Sequence, residues 1–178
     1  MARKKSKKPE QETSSSEPKP ETRATIKYPS LHQDVANAVS DQIPSTWFKK
    51  KDKGFEEEYS TKVMGKFKCN NGGCSKDGWA SRTVAIVIRR YPNNGYNATV
   101  FNQRCQSCNK LGTLTLNENS YIERVAYRLK KWAGVPMETR PYDGSGGPPH
   151  ISELCEGCKR GYCQEAFRRR PIHGPYGV

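Results

Sequence analysis

Long apolar runs are missing from this sequence, and so is most of what a large hydrophobic core is built from. The longest uninterrupted stretch, Val84-Ala85-Ile86-Val87-Ile88, has five residues, whereas a membrane-spanning helix needs about 20. The sequence therefore reads as soluble, with no membrane anchor. Hydrophobic residues make up 33% of the chain and the mean hydropathy is −0.94, so burial alone contributes little towards folding a chain of 178 residues. A secretory signal is also lacking. Its basic start would have to lead into an apolar stretch, but Arg3, Lys4, Lys5, Lys7 and Lys8 run into Pro9 and a Glu/Ser/Pro segment. The expected location is intracellular, cytoplasmic or nuclear. Acidic residues are few, 18 against 31 Lys and Arg, for a formal net charge of +13. No nucleophile or acid–base constellation stands out, so no catalytic residues, enzymatic activity or small-molecule substrate are expected.

What the chain does have is seven cysteines. In a reducing compartment thiols stay free or bind metal, and an odd number would leave a disulfide framework with one cysteine over. Their spacing is that of metal ligands. Cys105/Cys108 and Cys155/Cys158 are C-x2-C pairs, and Cys69/Cys74 is a C-x4-C pair with Gly72 and Gly73 to permit a tight or left-handed loop. His150, Cys155, Cys158 and Cys163 read H-x4-C-x2-C-x4-C. Together with the histidine, eight ligand-type residues suit two tetrahedral zinc ions per chain. Four filled positions of mostly thiolate are structural rather than catalytic. Such an ion contributes on the order of 10 kcal/mol to folding, which offsets the thin core.

Along the chain, residues 1–28 carry eight Lys/Arg, four Glu and three prolines and are expected to be a disordered basic tail. Residues 29–54 form a helix and linker: Leu31, Val35, Val39 and Ile43 recur every fourth residue between Pro29 and Pro44, and Lys49 to Gly54 form an exposed connector. Residues 55–168 make the zinc domain, and 169–178 a flexible tail. Within the domain, residues 55–67 are expected as one or two strands. Residues 79–91 and 96–104 form a hairpin whose tip is Asn94-Gly95, and 111–116 a further short strand. Residues 121–133 form an amphipathic helix with Ile122, Val125, Leu129 and Trp132 on one face, a capping box at Ser120–Glu123 and a C-terminal Gly134. The fold class is α+β, a small antiparallel sheet with one packed helix. If the hairpin closes, Cys69/Cys74 come beside Cys105/Cys108 at its open end, leaving His150, Cys155, Cys158 and Cys163 as a local site. A crossed arrangement of the pairs stays open.

These residues resemble the 3CxxC-type zinc-finger family, which includes receptor-transporting proteins, zygote arrest proteins and many fungal proteins. The resemblance rests on Phe67-x-Cys69, Trp79-Ala80-Ser81, the run from Val100 to Cys108 and His150-x4-Cys155-Glu156-Gly157-Cys158-x2-Gly161-x-Cys163. It implies that His150 and Cys163 are ligands. The first pair departs from the family pattern, C-x4-C in place of C-x2-C. Receptor-transporting proteins continue into a C-terminal membrane segment, whereas this sequence stops after a polar tail, so a membrane-anchored role is not expected. The zygote arrest branch implies an RNA-binding use of the domain. Two uses follow: a module binding RNA or other nucleic acid, with Arg/Lys on phosphates and Tyr91 or Tyr96 stacking on bases, or an adaptor holding a client protein.

Overall fold

The computed structural model describes residues 23–138 and 149–165; the expected disorder of residues 1–22 and the tail 169–178 lie outside them. Residues 84–88 are apolar on both sides of the pleat, so a strand there needs cover on both faces. It becomes the middle of a six-stranded sheet. The elements are β1 (Thr25–Lys27), α1 (His32–Val39), β2 (Trp47–Phe48), β3 (Glu57–Cys69), β4 (Gly78–Tyr91), β5 (Gly95–Phe101), β6 (Gly112–Leu116), α2 (Glu118–Trp132) and α3 (Glu156–Lys159). The strand order is β1-β5-β4-β3-β6, antiparallel along that path, with the two-residue β2 joining β5 in parallel. The architecture is α+β.

One face of the sheet, including Val63, Phe67, Ile86, Ile88, Val100 and Leu114, packs under α1 and α2 through Val35, Val39, Tyr121, Val125 and Leu129. The other carries Ala85, Val87 and Phe101, which pack against Cys155, Cys163 and Tyr162. The sheet therefore fixes the C-terminal cysteines by burial as well as by chain connection.

Several local expectations are corrected. The disordered tail was expected to reach residue 28, but Thr25–Lys27 pairs with β5 and Ile26 is buried; an otherwise free edge and one apolar side chain suffice to order it. The tip of the β4–β5 hairpin is Asn93-Asn94, with φ of 56° and 62°, a type I′ pair whose twist matches the strands. The capping box at Ser120 does not form. α2 starts one turn earlier, where the Asn117 side chain accepts from Ser120 N–H at 2.8 Å. The Ser120 hydroxyl instead accepts the Met64 N–H at 3.1 Å, and Asn117 N–H donates to the Met64 carbonyl. Met64 lies at the register shift between Val63 and Gly65. The start of α2 thus satisfies the two backbone groups that this bulge takes out of the ladder. At the other end, Gly134 at φ 73° closes the helix with Val135 N–H on Lys130 O and Gly134 N–H on Lys131 O.

The connector after β2 is exposed yet anchored. Asp52 accepts from Arg89 at 3.0 Å, Lys27 at 2.7 Å and Asn97 at 2.8 Å. Arg89 also donates to Glu58 at 2.7 Å and to the Tyr162 hydroxyl at 3.2 Å, tying connector, β3 and C-terminal segment together. Arg128 of α2 lies over the Tyr59 ring, its guanidinium carbon 3.2 Å from the ring centroid.

Candidate metal centre

All seven cysteines are free, and the chain gathers them with His150 into two groups of four. β3 ends at Cys69, and the loop back to β4 carries Cys74. Its turn is closed by Cys74 N–H on Asn71 O at 2.9 Å and by Cys69 N–H on Asp77 O at 2.7 Å. Cys105 and Cys108 occupy the loop between β5 and β6, where Cys105 N–H bonds Lys110 O and Asn109 N–H bonds Cys105 O. Because β6 pairs with the end of β3, with Gly112 opposite Cys69, the two loops meet. Gly72 and Gly73 are the central residues of this tight turn, which closes without a left-handed φ at either.

The second group is more local. Cys155, the N-terminal residue beside α3, bridges to Gln103 across the sheet edge. Cys158 lies on α3, whose Gly157 packs against β4. Gly161, at φ 75°, then turns the chain so that Cys163 comes back under Phe101. In each group the four donor atoms lie within 4.8 Å of one another. The pairing is therefore Cys69/Cys74 with Cys105/Cys108, and His150 with Cys155, Cys158 and Cys163.

The donor geometry fits zinc. Four sulfurs each about 2.3 Å from a tetrahedral ion lie about 3.8 Å apart, and a sulfur and an imidazole nitrogen about 3.5 Å apart. Cys69 and Cys108 Sγ are separated by 3.6 Å, and Cys74 and Cys105 Sγ by 3.8 Å. In the second group His150 Nε2 is 3.2 Å from Cys158 Sγ and 3.6 Å from Cys163 Sγ. Facing the thiolates through Nε2, a neutral imidazole keeps its proton on Nδ1. A zinc ion in each group would lock two chain segments together and fill its coordination with protein donors alone.

The thiols themselves show why a cation belongs there. Burial raises the Cys105 thiol, but N–H groups of Cys108 and Ser107 more than compensate and hold it down at about 6. The proton is displaced onto Cys69: an N–H from Asn71 favours its thiolate, yet burial and the neighbouring sulfurs push it up to about 12. In the second group the hydrogen bond with Cys155 and the contact with His150 hold Cys163 down at about 4, against the effect of burial. Cys155 is pushed up by the same hydrogen bond and by burial. Clustered thiols cannot all ionise beside one another, and a divalent cation removes that conflict.

Around the sites lies a shell of polar residues whose roles were not legible in the sequence. Glu156 is 3% exposed and accepts from Arg104 at 2.7 Å, Arg160 at 2.6 Å and Lys159 at 3.3 Å. Burial works against its charge, but Arg160, Arg104 and Lys159 hold its carboxyl down at about 2. Since Arg104 precedes Cys105 and Glu156 follows Cys155, this ion pair couples the two metal loops. Asn102, fully buried, donates to the carbonyls of Arg23 and Gly112 and accepts from Gln103 N–H, while its own carbonyl receives Glu156 N–H. Gln103 accepts from the Trp79 indole at 3.1 Å and donates to Ser81 and Thr83. Tyr91 and Tyr96, expected as exposed stacking rings, are 1% and 0% exposed. Both faces of this part of the sheet are covered, so strand alternation did not report exposure. His32 contacts Tyr96 and stays outside both groups.

Residues 62–161 match the family model described as a zinc-binding domain of the 3CxxC zinc-ribbon type. The chain matches no curated protein and no solved structure at a significant level. Among the described residues no helix is long and apolar enough to cross a membrane. The match spans more than half of the 178 residues and takes in seven of the eight donors, with Cys163 just past its end; by that match the chain belongs to the 3CxxC zinc-binding-domain family.

Proposed function

We propose that this protein is a zinc-stapled binding module whose ligand is RNA or another nucleic acid, and that it is not an enzyme. The observation that carries the reading is how charge is disposed around the two metal groups. The chain holds a surplus of +13, which its internal ion pairs leave standing because each joins charges of opposite sign. Asp52 and Glu58 are engaged with Arg89, Glu56 and Glu57 with Arg90, and Glu156 with Arg104, Lys159 and Arg160. Cations are left in excess at the surface, and a polyanion is the ligand that such an excess attracts. Four protein donors at each metal leave no position for substrate or water, which supports a structural role for the ions. The resemblance to zygote arrest proteins points the same way, and the resemblance to receptor-transporting proteins supplies the competing use, a soluble adaptor for a client protein.

The test is titration of the zinc-loaded full chain with a fluorescent random-sequence single-stranded RNA at several salt concentrations. Nucleic-acid binding predicts an affinity that falls linearly on a log–log plot with a slope of about −0.7 per phosphate contacted. No binding at low salt rejects the reading and leaves the adaptor.

A further inference from the structure

One part of the sheet is left uncovered by the described chain. Past the bulge, Lys66 and Lys68 of β3 alternate with Phe67, which belongs to the core face. They therefore point to the opposite side. Ala80 of β4 stands opposite Lys66, and Thr115 and Thr113 of β6 stand opposite Lys66 and Lys68. Lys66, Lys68, Ala80, Arg82 and Thr115 are exposed, as is Met64 at 41%. The C-terminal metal segment covers the same side only further along, at Ala85 and Val87.

We propose that this three-stranded face is where the protein holds a single strand of nucleic acid, an inference that rests on the reading above. Its charge is of one sign: no Asp or Glu occurs in β4, β5 or β6, nor in β3 beyond Glu58. An ordinary solvated surface intersperses both signs, as this protein does around Arg89, Arg90 and Glu156. Lys66 and Lys68 are two residues apart on one strand, hence about 7 Å apart. That is comparable with the separation of successive phosphates in an extended strand. Thr115 adds a hydroxyl alongside, while the Thr113 hydroxyl already donates to Asn70 Oδ1, and the Met64 thioether offers an apolar spot for a base.

Over Lys66 and Lys68 the backbone offers a peptide nothing to pair with; an outer edge is left only at β6, the last strand in the order. β3 is hydrogen-bonded to β4 on one side and to β6 on the other, so an incoming chain cannot add a strand there and meets side chains only. A ligand with a charge at every repeat gains most from such a surface. The path continues beyond Arg82 into a cavity of about 190 Å³ between the two metal loops, lined by Lys76, Ala80, Arg82, Arg104, Gln106 and Ile151. Ala80 and Arg82 belong to both face and cavity, and Lys76 and Arg82 line it together with the Arg104 that pairs with Glu156.

The experiment compares two charge-matched variants of the zinc-loaded full chain, Lys66→Gln/Lys68→Gln and Lys130→Gln/Lys131→Gln, the latter in the last turn of α2. The probe is a fluorescent random-sequence single-stranded RNA, and zinc content and circular dichroism verify that each variant is folded. Loss of two phosphate contacts reduces the salt slope by about 1.4 and the affinity about 25-fold at 0.1 M salt relative to 1 M. That result is expected for the first variant, with a much smaller change for the second. Equal effects, or an unchanged slope in the first variant while the wild type binds RNA, overturn the face and leave nucleic-acid binding standing. A wild type that ignores RNA overturns both; one that takes up polyglutamate but not RNA assigns the face to an acidic protein instead.

Discussion

Gly157 sits where α3 crosses the sheet, and its replacement by alanine separates two forces of opposite sign. The backbone at this position is not left-handed, so alanine suffers no conformational strain there. Helix propensity alone favours the change by about 1 kcal/mol. Space opposes it, because a Cβ at residue 157 would stand 2.4 Å from Ala85 Cβ and 3.4 Å from Phe101. Ala85 is on β4, hydrogen-bonded on both sides, and cannot retreat. α3 must lift by about 1 Å, since ordinary carbon contacts begin near 3.5 Å. Overpacking of this kind costs about 1–3 kcal/mol, and α3 carries Cys158 beside Cys155, so the strain falls on the second metal group. The expected balance is a net loss of about 1–2 kcal/mol and weaker retention of one zinc ion of the two. Urea unfolding at fixed free zinc reads the first, as a midpoint lower by about 0.5–1 M, and competition with a chromophoric chelator reads the second. Ala85→Gly supplies the decisive control, because it removes the atom that is struck. In the double variant the clash vanishes, and a coupling energy of about 2 kcal/mol should appear. A Gly157→Ala protein as stable as wild type, or no coupling to Ala85→Gly, would refute the packing argument.

Native mass spectrometry should find two zinc ions on the full chain and one on Cys155→Ser; a folded, metal-free chain would sink the assignment of both groups. Glu156→Gln should lower stability by about 1–3 kcal/mol in urea unfolding while still retaining two zinc ions. The charge is lost from a buried site, but its cationic partners can be resolvated. Unchanged stability would mean that the ion pair between the metal loops contributes nothing net. Asn102→Ala should cost about 2–4 kcal/mol, since it leaves two carbonyls and one N–H without their partner, and faster hydrogen exchange should reach β1 and the start of β6 together. Exchange confined to residue 102 would contradict its role as a junction.

The eight candidate donors, which the structure gathers into two groups of four, were legible because their chemistry is local: a C-x2-C turn brings two thiolates within reach of one ion whatever the surrounding fold. The core of α2 was legible for the same kind of reason, Val125 and Leu129 being one turn apart on a single face. Exposure was not. Tyr91 and Tyr96 read as exposed stacking rings, yet β2 and the connector after it lay Trp47, Lys49 and Lys51 against Tyr91, and Phe48, with His32 of α1, lies against Tyr96. Asn102 and Glu156 escaped because their partners lie far along the chain: Arg23 is 79 residues from Asn102, and Arg104 is 52 from Glu156.

By itself, then, the sequence determined the donors, their number and the α+β class, all of which follow from spacing, periodicity and side-chain chemistry within short windows. The tertiary structure decided which donors share an ion, because that depends on β6 docking beside β3 and on Phe101 and Ala85 receiving the C-terminal loop. It also decided where the surplus cations gather. A strand's alternation sets which residues share a face, but only the packing of other elements settles which face is left to meet a partner.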